Sequence, residues 1–308
     1  MASMRDIKRR KSSIQSTQQI TKAMKLVSTV KLQRARQNAE KSDDYFRCMY
    51  STVQSILART RNLNHRFLQS GEKDRDAGGK KAVIVITSNR GLAGGYNSNV
   101  VKLITQGELA NQDLCIYAIG KKGKDALGKS YEIKADYSDV IEEPVYADAM
   151  AISKEVLDAF AAGEISEIYL AYTAFKNTVV HVPTLLKLLP VEVNESSPAD
   201  NTEQEGSIRQ ETSANQEASG EDKALMNFEP EDEEALDLII PKYVTSLIYG
   251  GMVESVASEN GARMQAMDSA TSNAEEMISS LTLLYNRARQ GSITQELTEI
   301  IAGANAIS

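Results

Sequence analysis

From Ile7 onward apolar side chains return at helical spacing, at Ile14, Ile20, Met24 and Val27, and then seven apart at Ala39, Phe46 and Val53, with Met49 and Ile56 on a companion position. No glycine or proline interrupts residues 1–70, and the first breakers are Gly71 and the polar run GEKDRDAGG, which reads as a linker. At the far end of the chain Met267, Ala274, Leu281 and Ala288 also fall seven apart, and Ala270, Met277 and Leu284 follow the first three by three positions. This second seam is built of small residues and Met more than of Ile and Leu, so it permits a close yet adaptable helix contact. Two helical stretches of roughly 55 and 60 residues, neither able to bury its stripe alone, predict one antiparallel coiled coil of about 80 to 90 Å at ~1.5 Å per residue. An amphipathic helix packed on its own domain is the other reading of the front stretch, and length favours the coiled coil.

Between the helices the period changes. AVIVIT (82–87), LCIYAIG (114–120) and EIYLAYTAF (167–175) are apolar, β-branched or aromatic runs, and helix-like stretches at 97–110 and 147–162 separate them. The alternation predicts a Rossmann-like, mainly parallel sheet covered on both faces. TVVHVPTLLKLLPVEV reads as an extended segment leaving that domain, where Pro183 and Pro190 oppose a helix. Residues 194 to about 223 hold Asn, Ser, Glu, Gln, Thr and Ala with a single Ile, too little apolar surface to offset ordering, so a mobile acidic loop is expected. Helix signals resume at PEDEEALDLII, acidic in its first turn, with Pro241 at a first-turn or kink position. The predicted organisation is a coiled-coil helix over 1–70, an α/β domain over 71–193, an acidic flexible insertion over 194–226 and a coiled-coil helix with an overhanging tip over 227–308. If both helices leave the globular domain at one level, opposed residue numbers total about 288 and Met24 stands level with Met264. The last 20 or so residues then extend unpaired for roughly 30 Å and need partner proteins around them.

Composition refines this picture at a few points. The 308 residues are 42 % hydrophobic, enough for a real core. The net charge of −7 hides an asymmetry, with fifteen Lys/Arg against four Asp/Glu over residues 1–70 and two against fifteen over 192–237. The front helix therefore expects acidic neighbours, while few interleaved aromatics and a pI near 5.2 argue against nucleic acid. Cys48 and Cys115 lie far apart without metal-ligand companions, and no apolar run reaches bilayer length, so membrane association is expected only through partners.

Candidate chemistry is sparse. TSNRGLAGGYN (87–97) is a glycine-rich turn between a strand and a helix, a place where backbone amides attract phosphate. The spacing of Gly91, Gly94 and Gly95 matches neither the dinucleotide fingerprint nor the Lys-Ser/Thr phosphate loop, so a structural turn is the better reading. His65 and His181 are isolated from any nucleophile or acid at informative spacing. No catalytic, cofactor-binding or metal-ligating set emerges, and the alternative of a nucleotide-binding α/β enzyme with helical oligomerisation arms rests on the glycine turn and the sheet alone.

Four motifs together resemble the gamma subunit of F-type ATP synthases: ITKAMKLVSTVKLQRA (20–35), SNRGLAGGYN (88–97), ENGARMQAMDSATSNA (259–274) and YNRARQGSITQELTEIIAGANA (285–306). The last is the most specific, with Ile293, Thr294, Glu296, Glu299, Gly303 and Ala304 in the order that family carries. The resemblance implies a non-catalytic rotary central stalk, without a cofactor, whose helical tip lies inside a ring of alternating alpha and beta subunits. It also implies a foot on the epsilon subunit and the membrane c-ring, at the cytoplasmic face of a bacterial plasma membrane or its organelle equivalent. Carried over by position, Arg263, Gln290, Thr294 and Glu296 correspond to residues that touch loops of the beta subunits, and Met24 and Lys25 to a segment near the acidic lever of beta. Met24 is equally well read as a plain seam residue. The insertion falls where chloroplast relatives carry a redox segment with a cysteine pair, and this one has no cysteine, so thiol switching of that kind is not supported. Deleting residues 195–222 is expected to leave assembly intact and to alter regulation only; failure to recover an assembled complex from the deletion strain would refute this.

Overall fold

The computed structural model describes residues 4–59, 67, 80–110, 112–191 and 232–307. In chain order the elements are α1 (Met4–Arg59), β1 (Lys80–Ile86), α2 (Tyr96–Gln106), β2 (Leu114–Ile119), α3 (Lys121–Leu127), β3 (Glu132–Asp136), α4 (Tyr146–Ala161), β4 (Ile165–Phe175), β5 (His181–Leu189) and α5 (Asp232–Ile307). They fall into two compact units, one made of residues 1–29 with 263–308 and the other of residues 30–262, so the division lies inside both long helices. Residues 194–226, Glu231 and the side chain of Phe46 lie outside the described residues.

The central unit is a five-stranded sheet in the order β3-β2-β1-β4-β5, parallel except for β5. Period-2 alternation sorts its side chains onto two faces. Ala82, Ile84, Ile86, Tyr117, Ile168, Leu170 and Tyr172 pack with Val53 and Ile56 of α1, Ile152, Val156 and Phe160 of α4, and Leu236, Ile240, Val244, Ile248 and Met252 of α5. Val83, Val85, Ile116, Ala118 and Ala171 pack against Val100 and Ile104 of α2 and Leu127 of α3. Val53 thus belongs to the core beneath the sheet, alongside Ile56. Gly251 lets α5 approach the sheet, since a Cβ there would stand 3.0 Å from Leu170 and 3.5 Å from Tyr172.

The segment read as leaving the domain does not leave it. Residues 181–189 form β5 and pair antiparallel with β4 from Phe175↔His181 to Ile168↔Leu189. Pro183 is tolerated because β5 is an edge strand with one side free of the ladder. Two elements had no signal in the hydrophobic pattern, the short charged edge strand β3 and the seven-residue α3. Pro241 sits ten residues into α5, where its missing N–H removes one rung of the helical ladder.

Gly120 joins β2 to α3 at φ +113, and a Cβ there would stand 2.1 Å from the carbonyl oxygen of Thr87. At Gly91 nothing lies within 4 Å of the corresponding position. Gly120→Ala is therefore expected to destabilise the chain by at least ~2 kcal/mol in urea denaturation, and Gly91→Ala by less than ~0.5 kcal/mol.

Candidate functional site: a helical pair with a polar seam

The described residues of the unit formed by residues 1–29 and 263–308 are all helical, so its function resides in what the two helices hide and what they present. On α1 the buried or half-buried positions are 4, 7, 11, 14, 18, 21, 25 and 28, a regular alternation of three and four, with Met24 half-buried beside them. On α5 the matching positions are 267, 271, 274, 278, 281, 285, 288 and 292. Met267, Ala274 and Leu281 are buried and Ala288 is half-buried, whereas Met277 and Leu284 are each 53 % exposed. The companion row is Thr271, Ile278 and Tyr285, one residue beyond the row of apolar residues visible in the sequence. Ala39 is half-buried and belongs to the central unit.

Seam contacts are polar at the centre. Thr21 Oγ1 and Thr271 Oγ1 share a hydrogen bond of 2.8 Å, and Thr271 Oγ1 also lies 2.7 Å from the carbonyl oxygen of Met267. One turn away Lys25 Nζ meets Asp268 Oδ1 at 2.5 Å, and on the other side Gln18 Nε2 donates to Glu275 Oε1 at 3.0 Å. Paired residue numbers therefore total 292 or 293 rather than 288. The shift exceeds one turn, so Met24 stands level with Asp268 and Ser269 instead of Met264. A total of 288 follows from both helices leaving the globular domain at one level, whereas hydrogen-bonding partners in the seam set the register observed.

The small polar seam has an outward counterpart. Thr21 and Ser28 are 8 % and 2 % exposed, while their neighbours Ile20 and Val27 are 60 % and 58 % exposed. Leu26, Leu283, Ile293, Leu297, Ile300 and Ile301 also face solvent. An ordinary amphipathic helix is arranged the other way, and contiguous exposed apolar surface marks a contact surface. Spacing of small hydroxyl residues was the available signal for this seam; reading apolar residues as buried concealed it.

Residues assigned by resemblance fall on this unit. Lys25 is engaged with Asp268 and Arg263 is half-buried. Gln290, Thr294 and Glu296 are exposed on successive turns, with Thr294 Oγ1 donating to the Gln290 carbonyl at 2.9 Å and Ser292 Oγ to Glu296 at 3.4 Å.

The glycine turn of the central unit is occupied by its own side chains. Asn89 Oδ1 accepts from the Lys121 amide at 3.1 Å and Thr87 Oγ1 from the Gly123 amide at 2.8 Å. Asn97 Oδ1 accepts from the Ser88 amide at 2.9 Å. These side chains serve structure: the turn ties β1 to α2 and α3. Among the described residues no three His, Cys, Asp or Glu side chains group as metal ligands, and no helix is long and apolar enough to cross a membrane.

Comparison with known proteins bears on this helical pair and sheet. The ATP synthase family matches residues 3–307. The ATP synthase gamma chain of Lachnoclostridium phytofermentans is 60 % identical over 309 residues, covering all of both chains. The sodium-ion-specific gamma chain of Acetobacterium woodii is 39 % identical over 99 % of each. A chain in the Euglena gracilis mitochondrial ATP synthase superposes with TM-score 0.65 at 17 % identity, over 99 % of this chain and 94 % of that one. The fold defines an α/β protein with a paired-helix stalk. The chain belongs to the gamma-chain family of the ATP synthases.

Thr271→Val leaves the Thr21 hydroxyl without its cross-helix partner and is expected to lower stability by ~1 kcal/mol. Adding Thr21→Val should recover part of that loss, since two methyl groups then meet in the same space; the double-mutant cycle in denaturant measures the coupling.

Proposed function

We propose that this chain is the rotary central-stalk subunit of an F-type ATP synthase, carrying c-ring rotation to the catalytic sites of the beta subunits and doing no chemistry itself. The observation that supports this best is a helical pair whose seam combines buried Met267, Ala274 and Leu281 with hydrogen-bonded Thr21 and Thr271, while other large apolar side chains stay exposed on the outside. A rotor needs torsional integrity from internal contacts and a smooth, weakly directional outer surface, because strong polar contacts to the surrounding ring would trap one angle. Directional hydrogen bonds along the seam serve the first need, and Ile20, Val27, Met277, Leu284 and Ile293 on the outside serve the second.

In this reading the ring consists of alternating alpha and beta subunits, with Gln290, Thr294, Glu296 and Arg263 meeting beta-subunit loops and Met24 and Lys25 lying near the acidic lever of beta. The basic residues of α1, among them Lys8, Arg9, Arg10, Lys22 and Lys31, suit acidic neighbours. The epsilon subunit and the c-ring are the partners of the central unit, and the chain is held at the cytoplasmic face of a bacterial plasma membrane through them. The enzyme reading has less behind it, because Thr87, Asn89 and Asn97 of the turn are spent on the amides of Gly123, Lys121 and Ser88, and the glycine spacing matches no phosphate-binding fingerprint.

Extraction of membranes in mild detergent followed by pull-down on this chain should recover ATP-hydrolysing alpha and beta subunits; an isolated chain that binds ATP and brings none down would sink the proposal. In the assembled enzyme Gln290→Ala and Arg263→Ala are expected to lower turnover by up to about tenfold, ~1.4 kcal/mol. For exposed Gln290 the stability of the isolated chain should move by less than ~0.5 kcal/mol. Parallel loss of activity and stability would count against direct contact.

A further inference from the structure

His181 opens β5 at the end of the hairpin that joins it to β4, opposite Phe175, whose ring centroid lies 6.0 Å from that of the imidazole. On its other side the imidazole enters a notch in α5. A Cβ on Gly261 would stand 2.5 Å from Nε2 and 3.3 Å from Cε1, so no other residue type leaves room for this ring. Nε2 is out of reach of solvent and has no hydrogen-bond partner among the described residues. A buried nitrogen left unpaired at a close helix contact calls for an explanation.

The backbone of the adjoining strand end is engaged by α5, although Thr173 Oγ1 is, like Nε2, buried without a hydrogen-bond partner among the described residues. Ser258 Oγ donates to the Thr173 carbonyl at 3.0 Å, Ser255 Oγ accepts from the Thr173 amide at 3.4 Å, and Glu254 Oε2 accepts from the Phe175 amide at 3.3 Å. These contacts hold residues 254–258 of α5 to the end of β4, and the imidazole in the Gly261 notch is the next fastening along the helix. The charged side chains on the flanking stretches are Glu254 and Glu259 of α5 and Lys176 in the hairpin turn, and Arg263 follows two positions beyond Gly261. Burial is what pushes the imidazole below its ordinary value of 6.5. A neutral ring fits the notch, whereas a protonated one would bring a second N–H and a full charge to a place where Nε2 has no hydrogen-bond partner among the described residues.

We propose that His181 and Gly261 form a proton-operated latch fastening α5 to the β4–β5 hairpin of the central unit, closed while the imidazole is neutral and released on protonation. The proposal rests on the packing of this unit and is independent of the rotary reading. Its sign follows from linkage: the imidazole binds its proton more weakly in the latched state, so the contribution of the latch is complete above pH 6.5 and is lost as the pH falls through that value. Below it the opening equilibrium rises by up to about tenfold per pH unit until the latched form also titrates.

The chain has two histidines, so His65→Gln leaves a single imidazole to follow by NMR in the full-length protein. Its midpoint is expected below 6.5, with hydrogen-exchange protection over residues 175–181 and 254–262 falling between pH 7.5 and 5.5 after correction for intrinsic rates. His181→Gln should abolish that pH dependence. Gly261→Ala fills the notch, and in this variant the midpoint should return towards 6.5 as the ring is expelled. A midpoint at or above 6.5 in His65→Gln, an unchanged pH dependence in His181→Gln, or a midpoint that stays low in Gly261→Ala would each overturn the latch.

Discussion

Two helices share a seam where both keep a three-four alternation of residues turned towards each other, and that constraint governs the unit of residues 1–29 and 263–308. At the centre of the seam it is met with hydroxyls. Thr21 and Thr271 satisfy each other inside the contact, so their burial leaves no unpaired donor, and the directionality of their hydrogen bond selects one register from several that apolar packing alone would leave nearly equal. Lys25 with Asp268 adds little energy at its exposure.

In the central unit, by contrast, the usual order prevails. Ile84, Ile86, Leu170 and Tyr172 are completely or almost completely buried, and three helices from different parts of the chain cover that one face. Residues from α1 and α5 belong to this core as fully as those of α4, so the sheet cannot be covered unless both long helices are present. Buried hydroxyl pairs appear here too, as in Ser153 with Thr245 at 2.7 Å between α4 and α5, where they fix the contact point of two otherwise apolar surfaces.

Much of this architecture was legible before any coordinates. Strands β1, β2 and β4 were found because buried parallel strands are uninterrupted apolar runs, and α2 and α4 because they lie between them. The spacing of Met267, Ala274 and Leu281 located the seam of α5. Other features were hidden for physical reasons. Strand β3 is a charged edge strand of five residues, and β5 contains Pro183, which usually argues against a strand. Ile20 and Val27 were read as seam residues because apolar side chains normally seek the interior, a premise that fails on a surface meant to be covered by other molecules. The register was missed by about one turn because its determinants, Thr21 and Thr271, carry no hydrophobic signal.

The margins of the sheet show how an open β-structure survives at cellular concentration. An exposed strand edge is a template for another chain, and this sheet has two. On one side β3 is brief, with exposed Glu132, Lys134 and Asp136 that would have to be stripped of water before a foreign strand could zip alongside. On the other, Pro183 withholds a donor from β5. Polymerisation through the sheet is thereby discouraged at both borders, by charge on one and by a missing donor on the other.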